Sequence, residues 1–211
     1  MDQARAGLIL ALIACGAEPV QPTPTVDAGE PEVRRLDLPF ATAVESTELG
    51  EGAGFGEEDV VLGPPRARSE HQGSMDVLSL GHGGEIVLSF APRVIVDGEG
   101  DDLIVFENAF LAQNGEVFAE PGSVALSEDG TTWHAFDCDP DNGEGCAGQS
   151  PSKAFDPTQP LSIERCGGDG FDLAELGLTE ARFVKITDRG SDRTAPSAGF
   201  DLDAVGLIHH R

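Results

Sequence analysis

The feature that most constrains this chain is its punctuation. From about Arg35 onward, apolar stretches of four to six residues alternate with turns rich in Gly, Pro, Asp and Asn, and no long stretch keeps a helical period of about 3.6. Runs cut this way read as strands of an antiparallel sandwich. The candidates are residues 59–62, 76–80, 85–90, 93–96, 102–107, 123–127, 132–136, 182–186 and 203–208, and only 174–178 looks like a brief helix or turn. One all-β domain over residues 36–209 is expected. Within it, residues 170–178 (GFDLAELGL) and 199–207 (GFDLDAVGL) repeat one another. Two copies do not make a solenoid. They mark two equivalent turns, with Phe and Leu packing inward and Asp turned toward polar partners.

The N-terminus reads as an address. Residues 7–14 (GLILALIA) form an apolar run after the single cation Arg5. A bilayer takes about 20 apolar residues, so this run is too short to span one and matches the hydrophobic region of a secretory signal. It ends in Leu12-Ile13-Ala14-Cys15-Gly16, which resembles the lipobox of bacterial lipoproteins. The resemblance implies a signal peptide at 1–14, cleavage after Ala14 and a lipid on Cys15 that attaches the protein to a membrane. Residues 15–35 carry Pro19, Pro22, Pro24 and Pro31 with almost no large apolar side chain, as a solvated tether would. Gly16 is not an inner-membrane retention residue, so the expected location is the cell envelope, at the outer membrane or cell surface of a Gram-negative host.

Lys and Arg number 13 against 38 Asp and Glu, a net charge of −25. Such a field repels phosphate backbones and anionic lipid, which argues against a nucleic-acid partner and against electrostatic membrane docking. It suits bound cations, or simply a soluble surface. Beyond Cys15, the cysteines are Cys138, Cys146 and Cys166. Cys138 and Cys146 bracket a loop of turn-forming Pro, Asn and Gly, and a disulfide between them is expected in an oxidising envelope. Pairing of either with Cys166 stays open. No CxxC or HxxxH spacing supports zinc.

Residues 124–133 (VALSEDGTTW) resemble the strand–turn–strand of discoidin-type modules, and 181–186 (ARFVKI) resemble a later strand of the same family. In physical terms Asp129-Gly130 supplies the positive φ a tight hairpin demands, and Trp133 is expected to cap the core. Residues 83–90, 97–108 (DGEGDDLIVFEN) and 199–205 (GFDLDAV) resemble secreted bacterial and archaeal cell-surface proteins, which group with galactose-binding-like jelly rolls. That resemblance implies a sandwich that commonly carries a structural calcium ion and presents loops to glycans or other ligands. The discoidin module's terminal cysteine bridge is not evident, and no binding residue of that family carries over.

Residues 97–102 (DGEGDD) pack four carboxylates into six positions. Calcium takes about six to eight hard oxygens, and the intervening glycines let carbonyls turn inward. The run begins like an EF-hand loop but lacks that loop's later Gly and Glu. Strand alternation puts Glu107 on the face of Leu103 and Val105, a costly place without a cation or donors. The expected calcium site therefore draws on Asp97, Asp101 or Asp102, and Glu107, joined by Asp201 or Asp203. The competing reading is a set of solvated turn aspartates. Residues 137–142 are a second candidate. No nucleophile elbow, zinc helix or phosphate loop is present. The leading expectation is a non-catalytic, surface-tethered module binding a glycan or other extracellular ligand, with Phe110 and Trp133 as contact aromatics. The alternatives are a polysaccharide hydrolase using Glu107 and Glu120, and a structural or small-molecule-capture lipoprotein.

Overall fold

The structure, a computed structural model, describes residues 37–66, 69–190 and 199–211. The signal peptide, Cys15 and the tether lie outside the described residues. Two antiparallel sheets pack face to face. One has five strands in the order Ala43–Glu48 (β1), Glu85–Ser89 (β3), Phe183–Asp188 (β12), Gly122–Ser127 (β8) and His134–Ala135 (β9). The other has four, Asp169–Phe171 (β10), Leu103–Glu107 (β5), Asp201–Leu207 (β13) and Leu78–Ser79 (β2). Two short pairs complete the sandwich: Ile95–Val96 (β4) with Glu180–Ala181 (β11), and Phe110–Leu111 (β6) with Val117–Phe118 (β7).

In the five-stranded sheet the sequence alternates as a one-faced strand should. Val184 and Ile186 of β12 are buried while Phe183, Lys185 and Thr187 are half-exposed. Ile86, Leu88, Val124 and Leu126 join them in a core shared with Leu103, Val105, Leu202 and Val205 of the facing sheet. β5 behaves differently, because every one of its residues is buried. Its other face, Ile104 and Phe106, packs under Leu38, Phe40, Leu161 and Cys166, the last from the short helix Ile163–Cys166 (α1). Phe106 lies 5.9 Å from the Phe155 ring and 6.5 Å from Phe40. Gly206 of β13 is needed for this cover, since a Cβ there would sit 2.7 Å from Leu161 and 2.9 Å from the Phe40 ring.

Several expected strands shorten at their ends, and one changes class. Residues 59–62 form the 3-10 helix Glu58–Val61, in which the Val60 N–H donates to the Glu57 carbonyl and the Leu62 N–H to that of Asp59. Only Val61 of this helix is fully buried, and its backbone is satisfied locally rather than by a ladder. Conversely, β1 (AVESTE) has no apolar alternation because it is a half-exposed edge strand, bulged between Val44 and Ser46. Trp133 does not cap the core. It lies half-buried on the outer face of the sheet, with Lys185 Nζ 4.5 Å from its ring centroid. The hairpin before it forms as the sequence indicates: Gly130 has φ +75°, and Asp129 accepts from the N–H groups of Thr131 and Thr132 at 2.8 and 2.7 Å. Those bonds hold the Asp129 carboxyl well below its ordinary range. Cys138 and Cys146 form the disulfide, and Cys166 is free and buried.

This second core makes a prediction. Phe106→Ala should lower unfolding free energy by about 3–5 kcal/mol, read from the urea midpoint at unchanged slope. Lys185→Ala, on the outer face, should cost less than about 1 kcal/mol.

Candidate functional site

β5 begins and ends at carboxylates, and the two ends are about 17 Å apart at roughly 3.4 Å per residue. Asp102, just before the strand, is completely buried. Its Oδ1 accepts from the Gly98 N–H and from His209 Nδ1, both at 2.8 Å, and its Oδ2 accepts from the Leu173 N–H at 2.8 Å. Its backbone adds bonds to Phe171, Ile208 and His209. Asp102 thus ties the turn at Asp97-Gly98, the segment after β10 and the C-terminal strand to one point. Gly98 is fixed by the same packing, since a Cβ there would overlap the His209 ring.

Asp97 and Asp172 stand beside Asp102, each with an oxygen within 4.8 Å of the others. Asp97 is exposed, and Asp172 Oδ1 caps the 3-10 helix Leu173–Leu176 by accepting from the Ala174 N–H at 2.8 Å. Asp101 is half-buried, and burial, then Asp172 and Asp102, push its carboxyl above the ordinary range. The triad can be approached by a cation, yet its buried member already has donors on both oxygens.

The far end of β5 is different. Glu107 is 2% exposed, and its Oε2 has no hydrogen-bond partner. Burial raises its pKa well above the ordinary value, the charges of Asp201 and Glu120 add to the shift, and the N–H groups of Asp201 and Asn108 oppose it only in part. Asp201 opens β13, whose Leu202 pairs with Glu107. Burial also raises Asp201, with a smaller push from Asp188, and the polar side chains of Ser79 and Asn108 oppose the shift in part. Glu120, also buried, accepts from the Gly199 N–H at 3.2 Å. Asp188 accepts from the N–H groups of Phe200 and Gly83 at 2.8 and 2.9 Å.

The six residues from which the expected calcium site would draw are therefore divided. Asp97, Asp101 and Asp102 gather at the start of β5, Glu107 and Asp201 at its end. Asp203 joins neither group: it lies where β13 bulges between Leu202 and Ala204, and its oxygens accept from the Arg66 N–H at 2.8 and 3.0 Å. One ion cannot reach both ends, because calcium–oxygen distances are about 2.3–2.6 Å. The second candidate, 137–142, is an Asx-type turn in which Asp139 accepts from the Asp141 N–H and from Asn142 Nδ2. Sequence reading saw Asp172 as part of a further acidic cluster with Asp169 but left it out of the expected calcium set, and it passed over Asp188. For Asp172 a signal existed, since it holds the same place in the first GFDL copy that Asp201 holds in the second.

A groove of about 680 Å³ runs along the disulfide loop, lined by Phe136, Asp137, Asp139, Glu144, Glu175 and Leu176 among others. A smaller cavity of about 320 Å³ shares Phe136, Asp137 and Glu175 with it and reaches Asp169 and Phe171. Asp169 Oδ2 accepts from the N–H groups of Gly148 and Gln149 at 2.7 and 2.9 Å, which holds the loop after Cys146 against β10. Neither expected contact aromatic lines the groove. Phe110 stacks on Phe118 at 5.1 Å in the β6–β7 pair, and Trp133 pairs with Lys185. No protein-family model and no curated protein matches the chain.

The triad's wiring predicts unequal costs. Asp102→Ala leaves three donors without an acceptor, so it should destabilise by about 3–5 kcal/mol at about 1–3 each, less relaxation. Asp97→Ala, at an exposed carboxylate, should stay within about 0.5 kcal/mol. Equal effects in chemical denaturation would contradict Asp102 as the structural knot.

Proposed function

We propose that the protein is a non-catalytic, galactose-binding-like jelly-roll module of the cell envelope. It is tethered to the membrane through a lipid on Cys15, stabilised by calcium, and binds a glycan or other extracellular ligand in the groove beside its disulfide loop. The groove carries this reading. Its volume, about 680 Å³, falls among ligand sites of about 300–1,000 Å³. Carboxylates accept and sugar hydroxyls donate, so Asp137, Asp139, Glu144 and Glu175 suit a hydroxyl-rich ligand. Phe136 and Leu176 offer an apolar surface for its C–H faces. No cation is among the lining residues, and with a chain charge of −25 this favours neutral or amine-bearing glycans over acidic ones.

Two further observations support the reading. The Cys138–Cys146 bridge suits an oxidising, exported environment. The glutamates that a two-carboxylate hydrolase would use, Glu107 and Glu120, are both buried.

Binding of the full chain to a panel of neutral, amino-substituted and acidic polysaccharides tests the proposal. Capture of neutral or amino-substituted glycans without release of reducing ends is expected. Glu175→Ala combined with Asp137→Ala should weaken that capture at least about tenfold, the loss of one or two charge-assisted hydrogen bonds. Preference for acidic polymers would contradict the groove as the site, and release of reducing ends would make the protein a hydrolase.

A further inference from the structure

We propose that the outer edge of β7 pairs with an extended, cationic polypeptide segment of another protein, which adds a third strand to the β6–β7 hairpin. This edge shares no residue with the groove and is independent of what the groove binds.

β6 and β7 join through the exposed turn at 113–115, and the Ala112 N–H donates to the Glu116 carbonyl at 2.8 Å. In an antiparallel pair, hydrogen-bonded and non-hydrogen-bonded positions alternate. Phe110 and Phe118 are therefore a bonded pair, whereas Leu111 and Val117, one step nearer the turn, are not. The Leu111 N–H turns out of the hairpin and donates to the Glu70 carbonyl at 2.6 Å. By the same register the Val117 N–H and C=O turn out of the opposite edge, where no backbone bond from the described residues meets them. One flank of the hairpin is closed and the other is open. A two-stranded hairpin is marginal alone, and a third strand completes it.

The side chains mark the same edge. Among the described residues the exposed large hydrophobics are Leu49, Met75, Val117 and Phe118. Val117 and Phe118 make up β7, and Met75 follows the Gly73–Ser74 segment that lies against Phe110 and Asn108. Phe118 stacks on Phe110 at 5.1 Å and is still 41% exposed. Single apolar residues on a surface need no explanation, but a group of them on an unpaired edge marks an interaction site. The edge of β1 shows the contrast. It is bulged between Val44 and Ser46 and carries Glu45 and Glu48, devices that block pairing. β7 has no bulge and no charge of its own.

Charge selects the partner. Glu116 stands exposed directly before β7, and Glu70 lies across the hairpin. Residues 94–152, which contain the hairpin, hold no Lys or Arg, and the chain carries −25. A second copy would bring the same charge to the same edge. Like charges suppress a partner, and opposite ones steer it in. The added strand therefore offers Lys or Arg opposite Glu116, with apolar side chains at alternate positions for Val117 or Phe118.

The test uses the full chain and three short peptides: alternating valine and lysine, its fully N-methylated form, and alternating valine and glutamate. Calorimetry reads affinity, and hydrogen exchange reads the hairpin amides. The valine–lysine peptide should bind at least about tenfold more tightly than either of the others and slow exchange of the Val117 amide. Val117→Pro removes the outward N–H; it and Phe118→Ser should each weaken binding at least about fivefold. Glu116→Lys should turn the preference toward the valine–glutamate peptide. An N-methylated peptide that binds as well as its parent would mean capture by net charge alone, and overturns the proposal. So does a valine–glutamate peptide that binds the native chain as well, binding that survives both Val117→Pro and Phe118→Ser, or no binding at all. Dimerisation of the native chain that Phe118→Ser abolishes also overturns it, since the edge then belongs to a second copy. Glycan capture plays no part in these readouts, so failure here leaves the groove standing.

Discussion

The whole arrangement depends on burying β5 on both faces. A strand covered on one side by the facing sheet and on the other by Phe40, Leu161 and α1 has no solvent toward which it can turn a polar side chain. Its backbone is satisfied by β10 on one edge and β13 on the other. Every polar group at its ends must therefore find a partner from outside the strand. That requirement is what draws distant segments of the chain together: the 97–98 turn and the C-terminus at one end, and the approach to β13 at the other.

The two ends meet the requirement differently. Asp102 is served by three N–H donors and is structurally complete. Glu107 sits among like charges with one oxygen unserved. The repeated GFDL segments frame this contrast. The first supplies β10, with Phe171 opposite Leu103 and Asp172 near the satisfied end. The second opens β13, with Leu202 opposite Glu107 and Asp201 at the unsatisfied end. All four of Phe171, Leu173, Phe200 and Leu202 are buried, so each copy drives its aromatic and leucine into the core and leaves its aspartate at an end of β5.

Much of the fold was legible because it rests on local signals. Alternation in 182–186, the Asp-Gly turn before Trp133 and the short loop between Cys138 and Cys146 each carry their own geometry. What escaped is what depends on distant partners. β1 is polar because it is an edge, and its pairing with β3 is set from outside its own sequence. Trp133 reads as core by its size, and only the register of β8, β9 and β12 places it beside Lys185 on the outer face. For the site, the density of carboxylates in 97–102 drew attention to a turn whose buried aspartate is engaged by backbone donors. The more informative signal was the single Glu107 at the end of an otherwise apolar run, because one charge in an apolar strand costs more than four in a solvated turn.

The most direct measurement is native-state amide hydrogen exchange across β5, which is buried on both faces. The account predicts that the N–H groups of β5 that pair with β10 and β13 exchange only through global unfolding, as slowly as any in the protein. Exchange of those groups by local opening, faster than in β12, would contradict it.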